Sequence, residues 1–442
     1  MDFDEQLEVD HFVLTERKCR VCGKTKDLID GFYLIRKNKS IQSSYSYECK
    51  TCTIQRVKSK KRVDYSKIND VLNFLSENFG WKKVSEEKNT IGLKLNDAQV
   101  TLEPGNQIEL AGRKLNNIHE VCAESYKFQD QLLLACKKFD LELLSIGYDP
   151  STNLKDVPYN PKKRYKIMST EMPKNGSLSL EMMYQTAGTQ INLDYSDEKN
   201  FSDKFKLISS IVPLSIAIFA NSSLKNNKFS NFLSYRSHVW QNTSRGGLPE
   251  IFLEDMTFEK YADFILNQPL LFIKKDKNYL PPNNHNFKDF IENKINEVNK
   301  EGPKITDLEL HLSTIFTEIR LKKYLEIRSI DACEWDCHCA SPAFFTGLVY
   351  GNLSEALDIT KLWKKNDILN AYFESPKKGL ATEIQGKNIL EWTKIFLNIC
   401  KIGLDKRNKI NKKGNNEKIY LKNIENIILE KKTKAEKSLK IA

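Results

Sequence analysis

A chain of 442 residues, 40% of them hydrophobic, can bury a substantial core and hold a large domain beside a smaller one. Its net charge of +11 is uneven: residues 17–62 carry +11 and residues 401–442 carry +8, which leaves −8 for the remainder, a distribution that bears on partners rather than on fold. The acidic opening MDFDEQLEVD lacks the apolar stretch of a secretory leader, the run Leu207–Ala220 is too short to span a membrane and reads as a buried helix, and ten cysteines, four of them in CxxC pairs, suit the cytoplasm rather than a disulfide scaffold.

Taken in order, residues 1–16 form a short N-terminal segment. Residues 17–62 hold Cys19-Arg-Val-Cys22 and Cys49-Lys-Thr-Cys52, two knuckles whose four thiolates can close tetrahedrally around one zinc ion. The segment is similar to the small zinc ribbons of phage and HNH-nuclease proteins, although no His/Asn/His nuclease cluster follows it. Its excess of basic residues, with Phe32, Tyr33, Tyr45 and Tyr47 interleaved, suits a nucleic-acid partner as well as it suits a solvated structural ribbon.

Residues 63–442 make a separate body. Ile68, Val71, Leu72, Leu75 and Phe79 keep helical spacing, and Gly80 stands where a helix stops. Pro104-Gly105-Asn106 is a tight-turn signature between two alternating runs, VTLE and QIELA. A hairpin there puts Val100, Leu102, Ile108 and Leu110 on an apolar face and Glu103, Gln107 and Glu109 on the other. Two such carboxylates either face water or hold a cation such as magnesium. A long helix follows, with Cys122 and Cys136 as core thiols. Thr189–Tyr195 alternates, with Gln190, Asn192 and Asp194 sharing a face. In Leu310–Asp331 the apolar positions 319, 321, 325 and 327 oppose Glu318, Arg320, Lys322, Tyr324, Glu326 and Arg328, which reads as one strand with a charged face. The cluster Cys333, Cys337, His338 and Cys339 has no recognised metal spacing. The C-terminal stretch 351–442 reads as helical with a solvated basic surface.

Several stretches resemble one family. LEPGNQIELAG followed by NNIHEVCAE is similar to the LEPGGQFELSG and HQTCAE segments of the plant- and proteobacterial-type glutamate–cysteine ligases. LKDVPYNPKKRYKIM, MPKNGSLSLEMMYQT, FLSYRSHVWQNT and IFTEIRLKKYLEIRSID continue the likeness, which covers residues 64–442. It implies an α+β, glutamine-synthetase-like carboxylate–amine ligase fold: a mainly antiparallel sheet bowl with outer helices, beside the small ribbon. It also implies ATP-dependent, magnesium-dependent joining of the glutamate γ-carboxylate to cysteine through a γ-glutamyl phosphate.

The roles that follow from the resemblance are these. Glu103, Glu109, Glu326 and Gln190 hold magnesium, and Asn192 floors the nucleotide site. Arg328 stabilises the transferring phosphoryl group, with Arg320 and Lys322 beside it at ATP. Arg236 grips glutamate, Trp240 lines the cysteine pocket, and Tyr235 and Arg245 complete the substrate set. The plant redox-switch cysteine is replaced here by Ala187, so that switch is not carried over. The family also has an earlier strand with two metal-binding glutamates. Leu7–Leu14 offers Glu8 and Asp10 in its place, with the ribbon either inserted after it or substituted for it. Two other readings stay open: an impaired ligase whose ribbon binds nucleic acid, and a γ-glutamyl ligase that uses another amine.

Overall fold

The computed structural model describes residues 16–34, 45–52, 62–276, 278–295 and 302–439, so the stretch Leu7–Leu14 with Glu8 and Asp10 lies outside the described residues. The chain divides into two compact units, residues 1–61 with 437–442, and residues 62–436. In the smaller unit β1 (Glu16–Lys18) pairs antiparallel with β2 (Thr25–Asp27), and β3 (Phe32–Leu34) with β4 (Tyr45–Cys49). Its core is Cys19, Leu28, Phe32, Tyr45, Cys49 and Cys52, too little apolar surface to fold the segment by burial alone. Arg17 ties the pieces together by donating to the carbonyls of Tyr45 (2.7 Å) and Ser46 (2.9 Å).

The larger unit opens with α1 (Tyr65–Phe79), which buries Ile68, Val71, Leu72 and Leu75 and stops at Gly80 in the left-handed conformation, φ 75°. A four-stranded antiparallel meander follows: β5 (Lys82–Glu86), β6 (Asn89–Leu95), β7 (Ala98–Glu103) and β8 (Gln107–Ala111). Gly105 and Asn106 take the turn between β7 and β8 with φ of 67° and 61°, the backbone region that glycine and asparagine tolerate. Arg62 holds the turn by bonding Asp149 Oδ2 (2.7 Å) and the Gly105 carbonyl (3.1 Å), and Asn106 Nδ2 donates to the carbonyls of Val63 and Tyr159. α2 (Ile118–Lys138), capped by the Asn117 side chain, packs Phe128, Leu132, Ala135 and Cys136 into the same small core, while its Cys122 joins the main one.

The helices α3 (Lys163–Glu171) and α4 (Ser179–Gln185) lead into β9 (Gly188–Leu193). The run Leu207–Ala220 is fully buried but is not one helix. α5 (Glu198–Ser210) ends and α6 (Val212–Ile218) restarts across Ile211, because Pro213 lacks an N–H and its ring would clash with the carbonyl four residues back. α7 (Tyr235–Gln241) and the two-residue strand β10 (Gly246–Gly247) come next, then α8 (Ile305–Leu312) and β11 (Phe316–Thr317), which pairs with β10 in parallel.

The stretch read as one charged strand is a hairpin, β12 (Ile319–Leu321) and β13 (Leu325–Asp331), closed by Lys322 N–H to the Tyr324 carbonyl at 2.8 Å. Because 320 pairs with 326 and 321 with 325, the even positions stay on one face through the turn, so parity alone could not reveal it. β13 also pairs with β9, giving a three-stranded antiparallel sheet in the order β12-β13-β9. Helix and sheet are thus mixed, with antiparallel sheets dominating the strand content. α9 (Trp335–Thr346) follows, then α10 (Lys365–Lys378) and α11 (Ile389–Arg407). Cys333 and Cys337 are joined as a disulfide, and the other eight cysteines are free thiols. No helix among the described residues is long and apolar enough to cross a membrane.

α11 crosses the turn that follows α9 at glycine. A Cβ on Gly403 would run into the carbonyl oxygen of Gly347, so backbone meets backbone there with no room to give. Gly403→Ala should lower stability by about 1–3 kcal/mol, read as an earlier midpoint in chemical denaturation.

Candidate functional site

Register in the meander pairs Glu103 with Gln107, Leu102 with Ile108 and Thr101 with Glu109. Directly opposed residues share a face, so Val100, Leu102, Ile108 and Leu110 point to the small core while Glu103, Gln107 and Glu109 share the other side. Tyr165 on α3 donates to Glu103 Oε2 at 3.0 Å, and the Lys162 ammonium stands 3.7 Å from Oε1. Glu109 has no hydrogen-bond or ion-pair partner among the described residues. Burial, then the Glu103 and Glu326 carboxylates, push it up to about 7 against the pull of Arg328 and Lys322.

The three-stranded sheet presents the opposite charge. Arg320, Glu326 and Asn192 are register neighbours across β12, β13 and β9, so they share a face with Arg328 and Gln190 two residues further along their strands. Glu326 Oε2 accepts from Arg320 Nε (2.7 Å) and Arg328 Nη1 (2.8 Å), and Oε1 from Lys322 Nζ (3.0 Å). Burial opposes its ionisation, but Arg328, Arg320 and Lys322 outweigh burial and hold it down to about 2. Arg328 also reaches Gln190 Oε1 at 3.4 Å.

α7 supplies the third wall. Its N-cap Ser234 accepts from Ser237 N–H and donates to Asp331 Oδ1 at 2.9 Å, which ties the helix start to the end of β13. Arg236 is buried, donates through Nη2 to the Arg328 carbonyl (2.6 Å) and lies 3.9 Å from Asp331, while its Nε and Nη1 have no hydrogen-bond acceptor. The Trp240 ring lies 4.8 Å from the Arg236 guanidinium and 5.0 Å from that of Arg328. Tyr235 does not face a free space: its hydroxyl accepts from Lys225 (2.5 Å) and donates to Glu181 (3.1 Å). Arg245, at φ 65°, donates to Thr314 Oγ1 at 2.7 Å and leaves Nε and Nη1 unpartnered.

Several participants were not singled out from the sequence. Lys162 and Tyr165 sit in NPKKRYKIM, where a dense charge run beside a tyrosine was the available signal. Asp331 closes the stretch that carries Glu326 and Arg328, and it gathers Ser222 Oγ (2.6 Å), Asn221 N–H (2.8 Å) and Ser234. Glu318 accepts from Tyr372 at 3.0 Å and leaves Oε2 unpartnered, and burial raises both of these acids above the usual carboxylate range.

The donor set suits a hard divalent ion. Glu103 and Glu109 crowd one another without a full complement of cations, whereas Glu326 has both oxygens committed. In the small unit the Sγ atoms of Cys19, Cys22, Cys49 and Cys52 lie within 4.8 Å of one another, so the four can hold a metal ion. Backbone N–H groups of Val21 and Cys49 point at Cys19 Sγ, at 3.4 and 3.2 Å.

Comparison with known proteins adds the chemistry's name. Residues 56–441 match the model of Glutamate-cysteine ligase family 2. The chain is 37% identical over 390 residues to glutamate–cysteine ligase B, chloroplastic, of Oryza sativa subsp. japonica, covering 87% of this chain and 77% of that one. It is 37% identical over 384 residues to the chloroplastic glutamate–cysteine ligase of Solanum lycopersicum (85% and 72% covered) and 35% over 390 residues to that of Arabidopsis thaliana (87% and 74% covered).

Removing the carboxylate that three cations share should cost more than its share of catalysis. Glu326→Gln leaves Arg320, Lys322 and Arg328 repelling one another and should destabilise the ligand-free protein by about 3–5 kcal/mol in urea at pH 7. Glu326 ionises in the fold well below its ordinary 4.5, so its contribution is complete above pH 4.5 and fades as pH falls towards about 2. The gap between wild type and variant should therefore narrow over that window, and a gap that does not narrow contradicts the assignment.

Proposed function

The chain belongs to Glutamate-cysteine ligase family 2, and we propose that it uses ATP to join the γ-carboxylate of L-glutamate to the amine of L-cysteine, giving γ-glutamylcysteine for glutathione synthesis. The observation that carries this reading is the meeting of two incomplete charge sets in one buried place. Glu103 has only Lys162 beside it and Glu109 has no cation at ion-pair distance among the described residues, and Arg236, Arg328 and Arg245 have guanidinium N–H groups without acceptors. A divalent ion answers the first deficit, and a triphosphate with amino-acid carboxylates answers the second.

In this reading the ground plan is that of the glutamine-synthetase-like carboxylate–amine ligases, with the bowl formed by the two antiparallel sheets. Glu103 and Glu109, with Gln190 beside them, would hold magnesium, and Glu326 would join only if one of its three cations yields. When bound, magnesium neutralises charge on the phosphate oxygens. Arg328, flanked by Arg320 and Lys322, draws negative charge from the moving γ-phosphoryl group as it leaves ADP for the glutamate γ-carboxylate. The cysteine amine then attacks the acyl phosphate and releases phosphate.

Arg236 offers a glutamate carboxylate one of the N–H groups that the fold leaves without an acceptor, at Nε or at Nη1, while Asp331 and its three hydrogen-bond donors fix the guanidinium. Trp240 shapes the neighbouring pocket, Tyr235 positions α7 through Glu181 and Lys225, and Asn192 lies at the nucleotide edge. The cytoplasm is the setting we propose, in keeping with eight free thiols.

For the small unit we propose a structural zinc ion. A tetrahedral zinc–thiolate site has sulfur–sulfur edges of about 3.8 Å, and Cys19–Cys52 and Cys22–Cys49 both measure 3.9 Å. A nucleic-acid backbone is the partner we propose for its basic surface, with Arg20 stacked 3.8 Å over Tyr47 as the supporting feature.

Two measurements test this. Full-length protein with ATP, magnesium, glutamate and cysteine should release γ-glutamylcysteine and ADP in equal amounts. Glu109→Gln should cut kcat at least about 100-fold and abolish the rise in Tm that magnesium gives the wild type. Purified protein should also carry one zinc per chain, lost in Cys49→Ser; unchanged zinc content in that variant would rule the site out.

A further inference from the structure

Most buried guanidinium groups around the site have a carboxylate to answer them. Arg320 and Arg328 share Glu326, and Arg236 faces Asp331 at 3.9 Å. Arg245 does not. Among the described residues its side chain makes one hydrogen bond, to the Thr314 hydroxyl, no acid forms an ion pair with it, and Nε and Nη1 have neither solvent nor acceptor. Burial alone pulls it down to about 9. The nearby His311 supplies no negative charge, because its Nε2 donates to the Ile265 carbonyl (2.9 Å) and burial keeps the ring neutral. An uncompensated guanidinium in such a place is a standing cost unless an anion completes it.

The backbone shows why this cation is held where it is. Arg245 sits in the left-handed region, and a Cβ on the following Gly246 would come within 2.8 Å of the Trp240 carbonyl. The bend therefore locks Arg245 to the end of α7. Its own carbonyl accepts from Phe316 N–H at 2.9 Å, and the Phe316 ring meets Trp240 edge-on at 6.5 Å. The backbone of Arg245 is thus one ring away from the Trp240 that lies against Arg236 and Arg328, and its guanidinium is anchored at Thr314.

We propose that Arg245, steadied by Thr314, is a specificity residue that binds the carboxylate of the acceptor amino acid. This rests on the ligase reading. In that reaction the triphosphate meets the Arg320–Lys322–Arg328 cluster and glutamate meets Arg236, which leaves one carboxylate; Arg245 is the guanidinium without an ion pair beside the end of α7 and Trp240, whereas Arg164, whose Nε also lacks a partner, lies against Tyr165 on α3. A lone planar fork matches a carboxylate in two parallel hydrogen bonds, whereas phosphate sites gather several donors.

The test compares cysteine with cysteamine, which has the same amine and thiol but no carboxylate, in wild type, Arg245→Met and Arg245→Lys. Arg245→Met should lower kcat/KM for cysteine about 100-fold, leave that for cysteamine within about threefold, and keep the KM of ATP and glutamate. Arg245→Lys should recover part of the cysteine preference. Calorimetric binding of cysteine, with glutamate and a non-hydrolysable ATP analogue present, should weaken in parallel and needs no turnover. Equal losses for both amines overturn the proposal, and so does a loss that appears in the KM of glutamate or ATP. If the wild type forms no γ-glutamyl product, the ligase reading fails on its own, and the binding arm still decides the subsite.

Discussion

Glu326 is the fixed point of the larger unit's polar interior. Three cations converge on one carboxylate from β12, β13 and the turn between them, so the group that would repel itself apart is instead the group that closes the hairpin. Burying a single ion is expensive, and burying four is tolerable only when each has a geometrically good partner. The surroundings meet that condition. β13 is buried on both faces, β9 supports it from one side, and the Arg320 guanidinium also bonds the carbonyls that end α8.

Around this saturated centre the remaining charges are left short by design of the fold. The β7–β8 hairpin brings Glu103 and Glu109 to the same face with only Lys162 near, and α7 brings Arg236 against β13 with two donors unspent. Neither deficit can relax locally. The hairpin turn is clamped by Arg62 and Asn106, and the helix start is clamped by Asp331 through Ser222, Asn221 and Ser234. Rigid elements hold charges in positions that are unfavourable until a ligand arrives, which is the arrangement expected of a preorganised electrostatic site.

How much of this was legible in the sequence depends on the range of each interaction. The turn at Pro104-Gly105-Asn106, the two faces of the strands beside it and the stop at Gly80 are set within a few residues, and local patterning exposes them. The alternation through 318–328 correctly grouped the charged residues but hid the hairpin, since an in-register turn preserves parity. Pro213 is the local mark of the break that makes the apolar run two helices. The partners of Asp331 and Glu318 lie between 54 and 110 positions away along the chain, where no spacing rule reaches. The isolation of Arg245 is a three-dimensional absence, which a sequence cannot display. Family likeness located the ligase body because its motifs are dense, but it is silent on the four-cysteine unit, most of which precedes residue 56 where the family match begins.

Trp240 has a use of its own. Two guanidinium groups stand at 4.8 and 5.0 Å from one indole ring, so the excited state of that ring is born in a strong and lopsided electric field. Any anion that draws Arg236 or Arg328 aside alters that field and with it the colour of the emitted light. The molecule therefore carries an optical gauge of its own occupancy, built from the same residues that do the gripping.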